Sequence, residues 1–129
     1  MIRRKVFFFW APVIAYAALI YFLSSLEGHL APKLFRFGDK VLHLIEYLPF
    51  GYLTVRAVRV DLRHRWLGAL LVSFFVVSLY ALSDEFHQRF VPGRFCSLWD
   101  WVADLIGAAA GIGLYHGKNR SLSKPSLQP

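Results

Sequence analysis

Residues 66–83 read WLGALLVSFFVVSLYALS, and residues 84–94 read DEFHQRFVPGR. The first stretch carries no charged side chain, whereas the second carries two acids, a histidine and two arginines. A helix of about 20 apolar residues is long enough to cross the roughly 30 Å hydrocarbon core of a membrane. Together the two stretches predict a membrane-spanning helix that ends in a cluster of polar residues.

The composition of the whole chain also indicates a membrane protein. Hydrophobic residues make up 57% of the 129 residues, and charged residues make up 18%. Soluble domains average about 45–50% and about 25% for these two classes. Residues 6–26 form a second run without formal charge, and two further segments, 39–58 and 97–115, are apolar with a few ionisable side chains.

These segments predict an all-α, polytopic membrane protein, specifically a four-transmembrane-helix bundle. The predicted helices, all within one domain of residues 1–116, lie at about 6–26, 39–58, 66–87 and 97–115. Residues 117–129 contain three serines, two prolines and no aromatic residue, which is typical of disordered chain. The first helix lacks the polar residues of the others, and we expect it to be a scaffold.

The placement of lysine and arginine predicts the orientation, because cytoplasmic loops carry an excess of these residues. With both termini inside, ten of the 15 basic residues are cytoplasmic, namely Arg3, Arg4, Lys5, Arg56, Arg59, Arg63, Arg65, Lys118, Arg120 and Lys124. The outer side keeps Lys33, Arg36, Lys40, Arg89 and Arg94. We therefore attribute the net charge of +7 to the basic residues that set the topology and contact anionic lipid, and no nucleic-acid partner is expected.

This topology predicts that the polar ends of helices 2, 3 and 4 meet on the outer side of the membrane. The residues concerned are Asp39, His43, Asp84, Glu85, His87, Gln88, Arg94, Ser97, Asp100 and Asp104. Residues three or four apart share a helix face, so each helix presents its polar residues as a stripe. A charged side chain inside a membrane costs about 2.5–3.5 kcal/mol on insertion scales, which favours a hydrated pocket or a bound charged group.

Two local patterns add to this prediction. The polar stripe of helix 4 continues as Gly107 and Gly111, and glycines four apart allow close helix packing in membranes. The stretch Val91-Pro92-Gly93-Arg94 predicts a type II turn, because proline suits its second position and glycine its third. The turn would direct Arg94 over the polar residues, to hold an anionic group or to pair with Asp100 or Glu85.

The polar residues of helices 2, 3 and 4 fall into three blocks. They are Asp39-Lys40-x-x-His43-x-x-x-Tyr47-x-x-x-Gly51, Ser83-Asp84-Glu85-x-His87-Gln88-x-x-Val91-Pro92-Gly93-Arg94 and Ser97-x-x-Asp100-x-x-x-Asp104-x-x-Gly107. These blocks resemble the VanZ-like family of small bacterial membrane proteins. The third block departs from the family, which usually has asparagine at the position of Asp104. Glu46 lies outside the family pattern. The resemblance implies a multi-pass protein of the bacterial cytoplasmic (inner) membrane, related to a protein linked to teicoplanin and other glycopeptide resistance.

The residue types allow a set of roles at the outer leaflet. We assign catalytic roles to Asp39, His43, Asp84, Glu85 and His87, and substrate-binding roles to Gln88, Arg94, Ser97, Asp100 and Asp104. A histidine would act as a base oriented by Asp39 or Asp84. A divalent metal is the cofactor that these residues suggest, with His43, Asp84, Glu85, His87 and Asp100 as candidate ligands. No ligand motif such as HExxH is present, so no ligand is assigned.

Three functional interpretations stay open at this point. The polar residues could form an intramembrane enzyme that acts on a lipid head group or a lipid-linked cell-wall precursor. They could form a non-enzymatic module that binds or transports a lipid or a glycopeptide. They could also be a purely structural network that locks helices 2, 3 and 4 together. Membrane lipid is the expected partner in the first two cases. Intramembrane ionisable residues are usually functional, which favours these two interpretations over the structural network.

Overall fold

The computed structural model describes residues 2–29, 38–62 and 65–122 of the chain. They form four α-helices: α1 (Ile2–Ser24), α2 (Gly38–Asp61), α3 (Trp66–Gln88) and α4 (Leu98–Leu122). The described residues contain no strand. The predicted all-α class and the number of helices are therefore confirmed.

Two of these helices have the surface of a membrane span. Val6–Ser24 and Trp66–Gln88 are long and apolar enough to cross a bilayer, yet only 11% and 22% of their most apolar windows are buried inside the protein. Large side chains such as Phe8 and Phe75 are more than 60% exposed. A soluble protein rarely exposes so much contiguous apolar surface, whereas a lipid-facing helix does so along its length.

The central contact of the fold is between α2 and α4, which pack more extensively than any other pair of helices. They run parallel, because Lys40 pairs with Asp100 and His43 with Asp104 in the same order along both helices. Further along, Gly107 lies against the backbone of Leu44. Both helices therefore begin at the same end of the bundle.

Glycines bring α2 and α4 this close. A Cβ atom added at Gly107 would meet the carbonyl oxygen of Leu44, and one added at Gly111 would meet that of Leu48. In the opposite direction, a Cβ atom at Gly51 would meet the carbonyl oxygen of Ala108. The prediction that Gly107 and Gly111 form a packing face is confirmed, since small residues let the two backbones touch.

Helices α1 and α3 flank the α2–α4 pair and have little contact with each other. An apolar core fills the space between the four helices and includes Ile20, Tyr47, Phe50, Val77, Ala81 and Ala108. The hydroxyl of Tyr16 on α1 donates to the carbonyl of Glu46, 3.0 Å away on α2. The hydroxyl of Tyr80 on α3 donates to the carbonyl of Ala17 on α1. Both aromatic side chains tie α1 to its neighbours.

The last helix is longer than predicted. α4 continues to Leu122, so residues 117–122 are helical although their composition predicted a disordered tail. Basic residues are favourable at the C-terminal end of a helix, where they offset the partial negative charge of the helix dipole, and Arg120 lies in this last turn. Residues 123–129 of the predicted tail lie outside the described residues, as do Lys33, Arg36 and Arg63.

Adding one methyl group at the α2–α4 contact should destabilise the bundle. We expect Gly111→Ala to lower the free energy of unfolding by about 1–3 kcal/mol, because the new Cβ meets the backbone of Leu48 and a packed contact cannot absorb it. Gly113→Ala is the matched control, since a Cβ atom there meets nothing within 4 Å. Thermal unfolding in detergent measures both variants. Equal unfolding temperatures for the two would contradict the close packing described here.

Candidate functional site

Each of the four helices has one end at the same side of the bundle. These four ends enclose a group of buried polar side chains. We call this group the buried polar cluster; it consists of His43, Asp84, Glu85, Gln88, Asp100 and Asp104. α2 and α4 contribute residues from their first turns, and α3 contributes residues from its last turns. The structure thus brings together residues that the sequence predicted would meet.

The centre of the cluster is a histidine between two carboxylates. Nδ1 of His43 lies 2.9 Å from Oδ1 of Asp104 and 3.9 Å from Oε1 of Glu85. The side chain of Glu85 is 2% exposed and that of Asp104 is 0% exposed. When Asp104 is ionised its carboxylate only accepts hydrogen bonds, and Nδ1 of His43 then carries the proton and donates it to Asp104. His43, Glu85 and Asp104 each direct one potential metal-ligating atom to within 4.8 Å of the others.

The sequence suggested that Asp39 or Asp84 would orient a histidine, and the geometry corrects this. Asp104 is the carboxylate that holds His43. Asp39 is instead 55% exposed and pairs with Lys40 at 3.1 Å. Asp104 was predicted to bind substrate, and it lies one turn deeper along α4 than Asp100, level with His43 across the parallel pair. The pairing depends on the register between α2 and α4, which spacing within one helix does not reveal.

The start of α4 holds Glu85 in place. The backbone N–H of Ser97 donates to Oε2 of Glu85 at 2.8 Å. The hydroxyl of Ser97 accepts the backbone N–H of Asp100, at 3.3 Å, as an N-cap. The free N–H groups at a helix start carry partial positive charge and stabilise carboxylates. Ser97, predicted as a substrate-binding residue, is therefore a capping residue that positions a buried acid.

Lys40 neutralises the outer part of the cluster. Its ammonium group lies 2.9 Å from Oδ1 of Asp100 and 3.1 Å from Oδ2 of Asp39. Asp100 is buried, so this ion pair offsets a charge that would otherwise be costly to bury. Sequence reasoning did not include Lys40 among the site residues. Its position three residues before His43 on α2 was the signal that could have identified it.

Several buried oxygens of the cluster have no hydrogen-bond partner among the described residues. They are Oδ1 of Asp84, Oε1 of Glu85 and Oδ2 of Asp104, together with Oε1 of the neighbouring Glu46. The other oxygen of Asp84 accepts a long hydrogen bond, 3.4 Å, from the amide of Gln88. Buried polar atoms are nearly always bonded in folded proteins. Unsatisfied acceptors on several carboxylates therefore indicate a site that receives a donor, water or a cation.

His87 does not join the centre of the cluster. Its ring packs on the ring of Tyr21 on α1, with 4.6 Å between the centroids, and the residue is only half-buried. The sequence grouped His87 with His43 because both lie near the outer ends of their helices. On α3, however, Asp84, Glu85 and Gln88 are buried, and His87 faces α1 instead. The two histidines therefore have different surroundings.

Arg94 binds main-chain carbonyls, and the ion pair with Asp100 or Glu85, one of the two roles that the sequence left open for it, is not formed. Nε of Arg94 donates to the carbonyl oxygen of Leu26 at 3.1 Å, and Nη2 donates to that of Leu23 at 3.2 Å. These carbonyls lie at and just beyond the end of α1, where helical hydrogen bonds run out. Arg94 therefore caps α1 and still lines the cavity beside the cluster.

The turn before Arg94 has the predicted type II geometry. The N–H of Arg94 donates to the carbonyl of Val91 at 3.1 Å, and Gly93 has a φ of +74°, a conformation that glycine adopts without strain. The carbonyl of Pro92 accepts the N–H of Gly28 at 3.0 Å. The turn and Arg94 together attach the end of α1 to the segment that joins α3 to α4.

A cavity of about 380 Å³ lies beside the cluster, between α1 and α2. Its lining residues are Tyr16, Leu23, Ser24, Leu26, Asp39, Leu42, His43, Ile45, Glu46, Pro49, Gln88 and Arg94. His43 and Gln88 connect the cavity to the buried polar cluster. Apolar side chains such as Leu23 and Ile45 form much of the remaining wall. The cavity thus combines a polar end with an apolar body.

Nearly the whole chain matches one known protein family. A family model described as VanZ/LLP1 matches residues 4–119. The chain belongs to the VanZ/LLP1 family. The match covers the buried polar cluster, the cavity and almost all of the four helices, and the resemblance inferred from the sequence is confirmed. No curated protein and no solved structure matches the chain. Membership in this family and the two apolar helices identify a membrane protein.

Within this VanZ/LLP1 chain, α1 contributes more to the site than its sequence predicted. It was expected to be a scaffold, yet Ser24 is buried beside the cluster, and Tyr16 and Leu23 line the cavity. The end of α1 also supplies the carbonyls that Arg94 binds. Ser24 and Ser25 are the polar residues at the end of the apolar run, a signal that could have indicated this contribution.

Replacing the guanidinium group of Arg94 should loosen the end of α1. We expect Arg94→Lys to lower the free energy of unfolding by about 1.5–3 kcal/mol, because a lysine cannot reproduce two divergent hydrogen bonds to separate carbonyls. Arg89→Lys is the matched control, since Arg89 is exposed directly after the end of α3. Thermal unfolding in detergent provides the measurement. If the two variants unfold at the same temperature, Arg94 does not cap α1.

Proposed function

We propose that this VanZ/LLP1 protein is a four-span protein of the bacterial cytoplasmic membrane that binds the polar head group of a lipid or a lipid-linked cell-envelope precursor. The head group would lie in the buried polar cluster at the outer leaflet. The observation that carries the proposal is the cavity that joins this cluster to an apolar wall between α1 and α2. An amphiphilic molecule needs both environments side by side.

The charge distribution of α2 and α4 supports four spans. α2 has Asp39 and Lys40 at one end and Arg56 and Arg59 toward the other, and Glu46 is the single charged residue between Lys40 and Arg56. α4 has no Asp, Glu, Lys or Arg between Asp104 and Lys118. The two helices contain 24 and 25 residues, which corresponds to about 36 Å at 1.5 Å per residue. Both are long enough for a bilayer core.

The end of the bundle opposite the cluster resembles a membrane interface on the cytoplasmic side. The guanidinium group of Arg59 lies 3.7 Å from the ring centroid of Trp66, and that of Arg56 lies 4.9 Å from the ring centroid of Phe9. Arginine stacked on aromatic rings is stabilised by cation–π attraction, and aromatic and basic residues are typical of interfaces. This arrangement supports an orientation with both termini inside and the cluster outside.

The buried polar cluster has more acceptor capacity than its internal contacts use. Glu85 and Asp104 each keep a buried oxygen without a partner among the described residues, and each such atom costs about 1–3 kcal/mol, which a purely structural network gains nothing by leaving unpaired. This observation favours a ligand-binding role over the structural alternative. Family membership relates the protein to glycopeptide resistance, so a lipid-linked cell-wall precursor is the substrate class that connects the site to that phenotype.

A catalytic role is the second candidate, and the contact between His43 and Asp104 favours it. With Nδ1 donating to Asp104, the other ring nitrogen of His43 is the basic one. His43 also lines the cavity, so a group bound there would be within reach of this base. General-base catalysis by histidine contributes about 10²–10⁴ to a rate. Chemical change of the bound lipid would distinguish this candidate from binding alone.

The native cysteine provides a direct test of orientation. Cys96 is exposed in the segment between α3 and α4, and we expect a membrane-impermeant maleimide to label it in right-side-out vesicles. Lys118→Cys in a Cys96→Ser background is the control, and it should be labelled only in inverted vesicles. Labelling of Cys96 only in inverted vesicles would place the buried polar cluster at the cytoplasmic face and overturn the proposed location.

Removing the central histidine should abolish function without unfolding the protein. We expect His43→Gln to restore glycopeptide susceptibility to the level of cells that lack the protein, because the side chain that links the cluster to the cavity is lost. Asp61→Asn is the control, since Asp61 is exposed at the far end of α2. Thermal unfolding in detergent establishes that both variants fold.

Mass spectrometry of membrane lipids completes this test. Lipids that copurify with the wild-type protein, and are lost with His43→Gln, would identify the bound head group. A lipid whose mass changes in cells that contain the wild-type protein would indicate catalysis. The proposed function would be refuted if cells that express His43→Gln resist glycopeptides as well as cells that express the wild-type protein, and if no lipid copurifies with either protein.

A further inference from the structure

We propose that His43, Glu85 and Asp104 form a binding site for one divalent transition-metal ion, of the Zn²⁺ or Mn²⁺ kind. The inference rests on the same cluster as the proposed function and specifies what occupies its centre. The three ligands come from α2, α3 and α4, so the ion would join three helices at one point. This set differs from the candidates that the sequence indicated, since it includes Asp104 and omits Asp84, His87 and Asp100.

The donor atoms have the spacing of a shared ion. Ligands bound to one ion at about 2.0–2.2 Å lie about 3–3.5 Å from one another. Nδ1 of His43 and Oδ1 of Asp104 are 2.9 Å apart, and one donor atom from each of the three residues lies within 4.8 Å of the others. When the ion binds, Nδ1 of His43 releases the proton that it shares with Asp104, and the ion takes the place of that proton between the two side chains. The carboxylate of Glu85 has to move slightly toward the other two. Its Oε1 atom makes no hydrogen bond and is free to turn toward the ion, while Oε2 keeps its bond to the backbone N–H of Ser97.

Unpartnered and fully enclosed oxygens are the second observation that points to a ligand. Glu85 and Asp104 are 2% and 0% exposed, and each has an oxygen without a hydrogen bond in the described part of the chain. Carboxylate oxygens in such surroundings require a proton, a water molecule or a cation. The imidazole nitrogen beside them distinguishes this group from an ordinary acidic cluster, because nitrogen and oxygen donors together favour Zn²⁺ or Mn²⁺.

The charges around the site also call for a cation. Five acids are buried or half-buried here, namely Glu46, Asp84, Glu85, Asp100 and Asp104. Within residues 38–62 and 65–122, the lysine that contacts them is Lys40, which is bound to Asp100 and Asp39. Arg94 donates to main-chain carbonyls. A divalent ion at His43 would reduce the remaining excess of negative charge.

The three ligands leave room for a further one. Metal sites that act on substrates use three protein ligands and keep at least one position open. His43 faces the cavity between α1 and α2, so a phosphate or carboxylate oxygen of a bound head group could reach that position. The ion would also explain how an acidic site holds an anionic head group, because it places positive charge between the carboxylates and the ligand.

Metal content of the full-length protein, purified in mild detergent, tests the inference. We expect inductively coupled plasma mass spectrometry to find one Zn²⁺ or Mn²⁺ per chain, or to find it after a chelator-treated sample is reloaded with either metal alone. His43→Gln should weaken binding at least about 100-fold, by loss of a direct ligand. His87→Gln is the matched control, with the same chemical change in a side chain that packs on Tyr21, and it should retain the ion.

A second pair of variants tests the ligand that the sequence did not indicate. Asp104→Asn should lose the ion, whereas Asp61→Asn, the same change at an exposed position, should keep it. If Asp104→Asn does not fold, the wild-type protein loaded with Co²⁺ provides the measurement, because its visible spectrum distinguishes bound nitrogen and oxygen ligands from solvated ion. No metal in purified or reloaded wild-type protein, or equal binding by the His43→Gln and His87→Gln variants, would overturn the site.

The outcome for the metal is separable from the outcome for the lipid. If wild-type protein binds no ion but copurifies with a lipid that His43→Gln loses, the metal site fails and the proposed function stands. If it binds one ion at His43 but neither binds nor alters a lipid, the proposed function fails and the metal site stands.

Discussion

The close, parallel packing of α2 and α4 is the constraint on which the rest of the structure depends. Gly51, Gly107 and Gly111 let the two backbones touch, and the contact fixes the register in which the helices lie side by side. The register then places His43 beside Asp104 and Lys40 beside Asp100. Since both helices begin at the same end, their partial positive charges act together on the carboxylates of the buried polar cluster.

Burial of several acids at this end is tolerable only because each has some compensation. Asp100 pairs with Lys40, Asp104 accepts from His43, and Glu85 accepts the N–H of Ser97 at the start of α4. The compensation is incomplete, as oxygens of Glu85 and Asp104 stay without partners among the described residues. In a chain whose flanking helices α1 and α3 expose apolar surface, burying so many carboxylates without full compensation costs free energy. A bound cation and head group would complete it.

Much of this arrangement could be predicted from the sequence, and the failures have a common cause. Residue types and their spacing along the chain are enough to predict the apolar helices, the turn at Gly93 and the packing glycines. The partners of His43, His87 and Arg94 do not, because residues four apart on a helix define a face without saying which neighbouring helix that face meets. His87 consequently packs on Tyr21, although its spacing suggested a place beside His43.

By itself, the sequence determined that the chain forms an all-α bundle with apolar helices and polar residues gathered at helix ends. It also determined the family, since the polar blocks within residues 39–107 resemble it and the family model matches residues 4–119. Only the tertiary structure decided that Asp104 holds His43, that Arg94 caps α1, and that α1 forms one wall of the cavity. The physical reason is that these contacts depend on the rotation and register of packed helices, which the combined fit of all four helices sets.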